Sequence, residues 1–73
     1  MDKLAIYCDL GLMAPCGYRI CLLKDENDKS DGSVVCESTF SMADFMHTHP
    51  SYKKAMIVRT KKERGVLTLY VIK

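Results

Sequence analysis

The apolar residues of this chain fall into short β-favouring runs, the first two with a clear period of two, and the spacing becomes helical only once. Leu4, Ile6, Cys8 and Leu10 alternate with Ala5, Tyr7 and Asp9, and Tyr18, Ile20 and Leu22 alternate with Arg19 and Cys21. Residues 33–39 (Ser-Val-Val-Cys-Glu-Ser-Thr), Ala55 to Thr60 and Val66 to Ile72 are rich in β-branched and aliphatic residues and bounded by turn chemistry. A period of two with such residues predicts strands. Between Ser41 and Pro50 the spacing becomes helical, with Met42, Phe45, Met46 and His49 at i, i+3, i+4 and i+7 on one stripe. Ser41 with Asp44 approximates a capping box, Phe40 and Phe45 occupy the staple positions, and Pro50 ends the helix.

The predicted order is β-β-β-α-β-β, an α+β fold in which one helix covers one face of a mostly antiparallel sheet. The first two strands are expected to form a hairpin across residues 11–17, and the last two a hairpin around Lys61-Lys62-Glu63-Arg64-Gly65. A competing reading makes residues 51–64 a second helix with Gly65 at its C′ position, although Arg59 and Glu63 interrupt the face begun by Tyr52 and Met56. A chain of 73 residues is expected to form a single domain over residues 1–73, and its core is small. With 48% hydrophobic and 27% charged residues, it has the composition of a folded domain rather than a disordered one. Its longest uncharged run, Leu10 to Tyr18, is about half the ~20 residues a bilayer requires, so no membrane partner is expected.

The first nine residues carry Lys3 against Asp2 and Asp9 and have no extended apolar core, unlike a signal peptide. Leu12-Met13-Ala14-Pro15-Cys16 has the outline of a lipoprotein box but places proline before the cysteine, with no apolar stretch ahead of it. A cytoplasmic setting is therefore expected, and the four cysteines, Cys8, Cys16, Cys21 and Cys36, are read as thiols rather than a disulfide framework. Cys8, Cys21 and Cys36 fall inside apolar strand-like runs, where a thiol acts as a small core hydrophobe. Zinc is the alternative use, with Cys16, Cys21, His47 and His49 as donors, but structural zinc sites pair tighter knuckles.

No complete catalytic constellation emerges. His47-Thr48-His49-Pro50 resembles the H-x-H-P box of the JAMM/MPN metalloproteases, a resemblance that implies a zinc held by the two histidines with Glu37 standing in as general base. It covers four residues; the family's later S-x-x-D has no counterpart, since no Asp follows Asp44. The acidic stretch Asp25 to Gly32 partly fits a calcium loop, with Asp28, Ser30 and Glu37 as oxygen ligands, but Asp31 stands where glycine is required. A cysteine nucleophile would need a base and an orienting group, and no local signature selects one of the four. No cofactor is expected, and the chain is not expected to be an enzyme.

Charge is more informative. Residues 1–37 carry four basic and seven acidic groups, net −3, and residues 38–73 carry seven basic and two acidic, net +5, which together give the +2 of the chain. The acidic loop, with Asp25, Glu26, Asp28 and Asp31, and the basic segment, with Lys53, Lys54, Arg59, Lys61, Lys62 and Arg64, are the expected partner-binding surfaces, since such patches set encounter rate and partner choice. The expectation is a non-enzymatic protein that docks on a protein or protein complex. Short chains that begin at Met without a cofactor motif are often accessory proteins of phages or mobile elements that act as stoichiometric inhibitors. The alternative is a nucleic-acid-binding module built on the basic hairpin, with Tyr52 and Tyr70 as the nearby aromatics. An exposed strand at Val66–Ile72 would offer an edge for pairing two copies of the chain.

Overall fold

The computed structural model describes residues 2–6, 16–38 and 42–73. Strand β1 (Asp2–Lys3) leads into a 3-10 turn (Leu4–Ile6); then come β2 (Gly17–Leu22), β3 (Ser33–Ser38), helix α1 (Met42–Thr48), a second 3-10 turn (Pro50–Tyr52), β4 (Met56–Glu63) and β5 (Val66–Ile72). The strands form one sheet in the order β1-β4-β5-β2-β3. Every neighbouring pair is antiparallel except β2 and β5, which run parallel from Gly17 opposite Val66 to Leu22 opposite Val71. This is the α+β arrangement expected from the single change of period.

The crossing of the sheet follows from that order. Strands β3 and β4 run in the same direction on either side of the β5/β2 pair, so residues 39–55 must pass over one face. Helix α1 lies in that passage and covers the face. Against it the sheet presents Tyr18 and Ile20 from β2, Ile57 from β4, and Leu67, Leu69 and Val71 from β5; the core also takes in Leu4, Phe45, Tyr52 and Ala55. Leu4, Ile20, Leu69 and Val71 are fully buried.

Three expectations change. The run predicted as a first strand over residues 4–10 is a 3-10 turn at Leu4–Ile6, and residues 7–10 lie outside the described residues. The alternation there was not that of a two-faced strand: Leu4 is buried and donates its N–H to the Ala55 carbonyl at 2.9 Å, while Ile6 stays 62% exposed. Strand β1 pairs with β4 (Asp2 opposite Ile57, Lys3 opposite Met56) and not with β2. Second, β5 is an interior strand flanked by β4 and β2, so Val66–Ile72 offers no free edge; the strand at the far end of the sheet is β3. The five consecutive buried residues of β5 go with its interior place, Arg59 lying over the Tyr70 ring on the face away from the helix.

Third, the turn between the last two strands is shorter than the five residues expected. β4 continues through Lys61, Lys62 and Glu63, and only Arg64 and Gly65 lie between the strands. Both have positive φ, 54° and 80°, the signature of a type I′ turn. The competing helix over residues 51–64 does not form, since Met56–Glu63 is strand. The capping box at Ser41 and the staple residue Phe40 lie outside the described residues, as does Cys8.

Candidate functional site: the open face of the sheet

The second face of the sheet has no helix over it among the described residues. Side chains alternate along a strand and cross-strand partners share a face, so its members follow from the register. Arg19, Thr68 and Lys61 stand side by side across β2, β5 and β4, with Glu37 beyond Arg19 on β3. The next row is Val34, Cys21, Tyr70 and Arg59, and Glu63 lies opposite Val66 on the other side of the Thr68 row. A bulge in β4 between Ile57 and Arg59 determines this membership. It inserts one residue, so that Val58 packs on the open-face cluster of Cys21, Leu23 and Tyr70 and Arg59, Lys61 and Glu63 follow on the same side.

Two adjoining grooves occupy this face. One, of about 330 Å³, is lined by Arg19, Lys61, Glu63, Arg64, Val66, Thr68 and Tyr70. The other, of about 440 Å³, is lined by Lys29, Asp31, Arg59, Thr60, Lys61 and Tyr70. They share Lys61 and Tyr70. The acidic loop is fastened over the second groove by Arg59, whose two terminal nitrogens donate to the carbonyl oxygens of Asp28 and Ser30. The same guanidinium lies 4.4 Å from the centroid of the Tyr70 ring, a cation–π contact.

Two ion pairs cross the open face. Arg19 Nε lies 2.6 Å from Glu37 Oε1, and Lys61 Nζ lies 3.2 Å from Glu63 Oε2. Hydrogen bonding and charge from Glu63 raise the Lys61 pKa. All four side chains are well exposed, and pairs of this kind contribute about 0–1 kcal/mol, so they hold the cations in place without locking them. The loop is ordered from within: Asp28 accepts the N–H of Lys24 at 3.0 Å, the N–H of Ser30 at 2.9 Å and the Ser30 hydroxyl at 2.6 Å. Those donors hold its carboxyl down at about 2.

Of the residues singled out by charge, Arg59, Lys61, Arg64 and Asp31 meet at the grooves. Asp28 and Asp25 serve the loop, Asp25 accepting the Asn27 N–H at 2.8 Å, and Glu26 is exposed on the same loop. Lys62 is paired with Leu67, whose side chain enters the helix-side core, so it points away from the grooves. Lys53 and Lys54 lie on the turn joining the second 3-10 segment to β4. Sequence reasoning missed Arg19, Lys29, Glu63 and Thr68 as site residues, and named Glu37 and Tyr70 only for other roles; the one available signal was Arg19, a lone charge between Tyr18 and Ile20 on the phase opposite the core.

The metal readings gain no geometry. Among the described residues no group of three or more His, Cys, Asp or Glu side chains could hold a metal ion. His49 stacks on Phe45 with centroids 4.5 Å apart, and its Nδ1 lies 2.9 Å from the Thr48 hydroxyl. Glu37 is engaged with Arg19 on the other face of the sheet, so the H-x-H-P resemblance brings no base to the histidines. Asp28, the centre of the calcium reading, spends its carboxylate on its own loop. Cys21 is buried in the open-face cluster, Cys36 packs on the main core, and Cys16 is exposed. Burial pushes the Cys21 thiol pKa up, with Arg19 opposing.

Comparisons with protein-family models, with curated proteins and with solved structures return no match. No helix among the described residues is long and apolar enough to cross a membrane.

Proposed function

We propose that this chain acts by docking on another protein rather than by catalysis, as a stoichiometric inhibitor or modulator of the kind phages and mobile elements carry, and that the open sheet face is its docking surface. The observation carrying this reading is that the acidic loop and the basic hairpin, far apart in sequence, meet on one face through Arg59. The result is a surface on which cations and carboxylates lie interspersed, which suits the mixed charge of a protein surface and gives register and selectivity.

A nucleic-acid reading draws less support. The two tyrosines nearest the basic residues are buried, Tyr52 under Lys73 and Tyr70 under Arg59, so neither ring offers the free face on which bases stack.

The test is affinity capture with the chain as bait, followed by native mass spectrometry, alongside titration with single- and double-stranded nucleic acid across a salt series. A stoichiometric protein complex that is lost on Arg19→Glu with Lys61→Glu, and kept on Lys53→Glu with Lys54→Glu, supports the reading. Tight nucleic-acid binding whose affinity falls linearly with salt on a log–log plot would replace it.

A further inference from the structure

We infer that the Arg19–Thr68–Lys61 row is a carboxylate-binding notch, and that the segment of the partner it takes is an extended acidic peptide. This rests on the docking reading above and adds the chemistry of the occupant.

Three observations carry it. The first is charge: the two adjoining grooves are lined by five cations, Arg19, Lys29, Arg59, Lys61 and Arg64, against two carboxylates, Asp31 and Glu63. With Glu37 on Arg19 also counted, this one face holds an excess of two positive charges, equal to the net +2 of the whole chain. The second is shape. Thr68 is small, 6% exposed, and sits between Arg19 and Lys61 in register. Each cation is therefore one strand spacing, about 5 Å, to either side of a low point that carries a hydroxyl. Side chains at alternate positions of an extended peptide project to one side about 7 Å apart, within reach of two long flexible cations.

The third is that both cations already hold carboxylates of this chain. Arg19 holds Glu37 at 2.6 Å and Lys61 holds Glu63 at 3.2 Å. These exposed pairs are weak and exchangeable, so Glu37 and Glu63 keep the cations in carboxylate-binding geometry until a partner's carboxylates replace them.

The probe is a fluorescein-labelled octapeptide of alternating Asp and Glu, titrated with the full chain and followed by anisotropy. Its Asn/Gln counterpart and a uridine oligonucleotide of equal charge run in parallel. Saturable one-to-one binding is expected for the acidic peptide and none for the amide peptide. Arg19→Gln with Lys61→Gln should weaken binding about tenfold, and Lys53→Gln with Lys54→Gln, which removes equal charge off the grooves, by less than about twofold. Circular dichroism confirms that both variants fold. The inference is overturned if the peptide does not bind, if the oligonucleotide binds as tightly, or if the Lys53/Lys54 variant loses as much as the groove variant. Partner capture that depends on Arg19 and Lys61 without peptide binding would sink this inference alone. Peptide binding with no such capture would sink the docking reading alone.

Discussion

Arg64 and Gly65 give the β4–β5 hairpin its two left-handed residues, and Gly65 is held there twice over. Its φ is 80°, and a Cβ at this position would stand 2.7 Å from Cys16 Sγ. Gly65→Ala should therefore cost about 1–2 kcal/mol, lowering Tm by roughly 5–10 °C. Adding Cys16→Gly should recover part of the loss if the thiol is the obstacle; a thermal melt of the two variants checks it. Asp28 carries a pH signature. Its carboxyl is held at about 2 from an ordinary 3.8, by the Lys24 N–H first and then by Ser30. A depressed pKa means that the folded loop favours the charged form, so the anchoring is fully present above the ordinary value and is lost as pH falls through about 2. The Ser30 amide shift should titrate with a midpoint near 2; one near 4 would show that the contact does not persist in solution. Arg59 cannot be exchanged for lysine on the same grounds, because a single ammonium cannot bond two carbonyls while lying flat on a ring. Arg59→Lys should raise amide exchange across residues 24–32 and leave β5 unchanged.

At the scale of elements, β5 carries most of the risk. Leu69 is fully buried at its centre, and Leu69→Ala should cost about 2–5 kcal/mol, much of what a domain this size has in reserve. Val34→Ala on β3, where the side chain is 57% exposed, should stay within about 0.5 kcal/mol; urea titration of both variants measures the contrast. The same strands show what could be read from the residues alone. Helix α1, β2, β3 and the β4–β5 pairing announced themselves through period and punctuation, because those signals are local. The position of β5 did not. Its apolar run, interrupted only by Thr68, is compatible with any buried strand, and only the parallel partner β2, some fifty residues earlier, makes it central. The site was legible to the same extent. Arg59, Lys61 and Arg64 stood out as charge, but the bulge at Val58 decides which members of the basic run face the grooves, and a one-residue change of phase leaves no mark in composition. Arg19 and Thr68 join them only through strand pairing.

For the molecule as a whole, the thiols offer a direct measure of opening. Cys16 is exposed, whereas Cys21 is buried with a raised pKa that keeps it in the unreactive protonated form. Ellman's reagent should label Cys16 within the mixing phase of the native protein. Cys21 should follow at the rate of global unfolding, accelerating with urea along the unfolding transition; equal rates for the two would mean that the open-face cluster is loose. The central place of β5 also has a temporal side. The strand that joins the β4 half of the sheet to the β2 half comes after the other four described strands in sequence. On a ribosome, β2 and β3 can pair early, but the sheet cannot close until residues 66–72 have emerged, and their pairing with β2 must close a loop of some fifty residues. Such long-range parallel pairing is slow. Closure of the sheet should thus wait for β5, and until then the β2 edge awaiting it is open to any other strand that reaches it first.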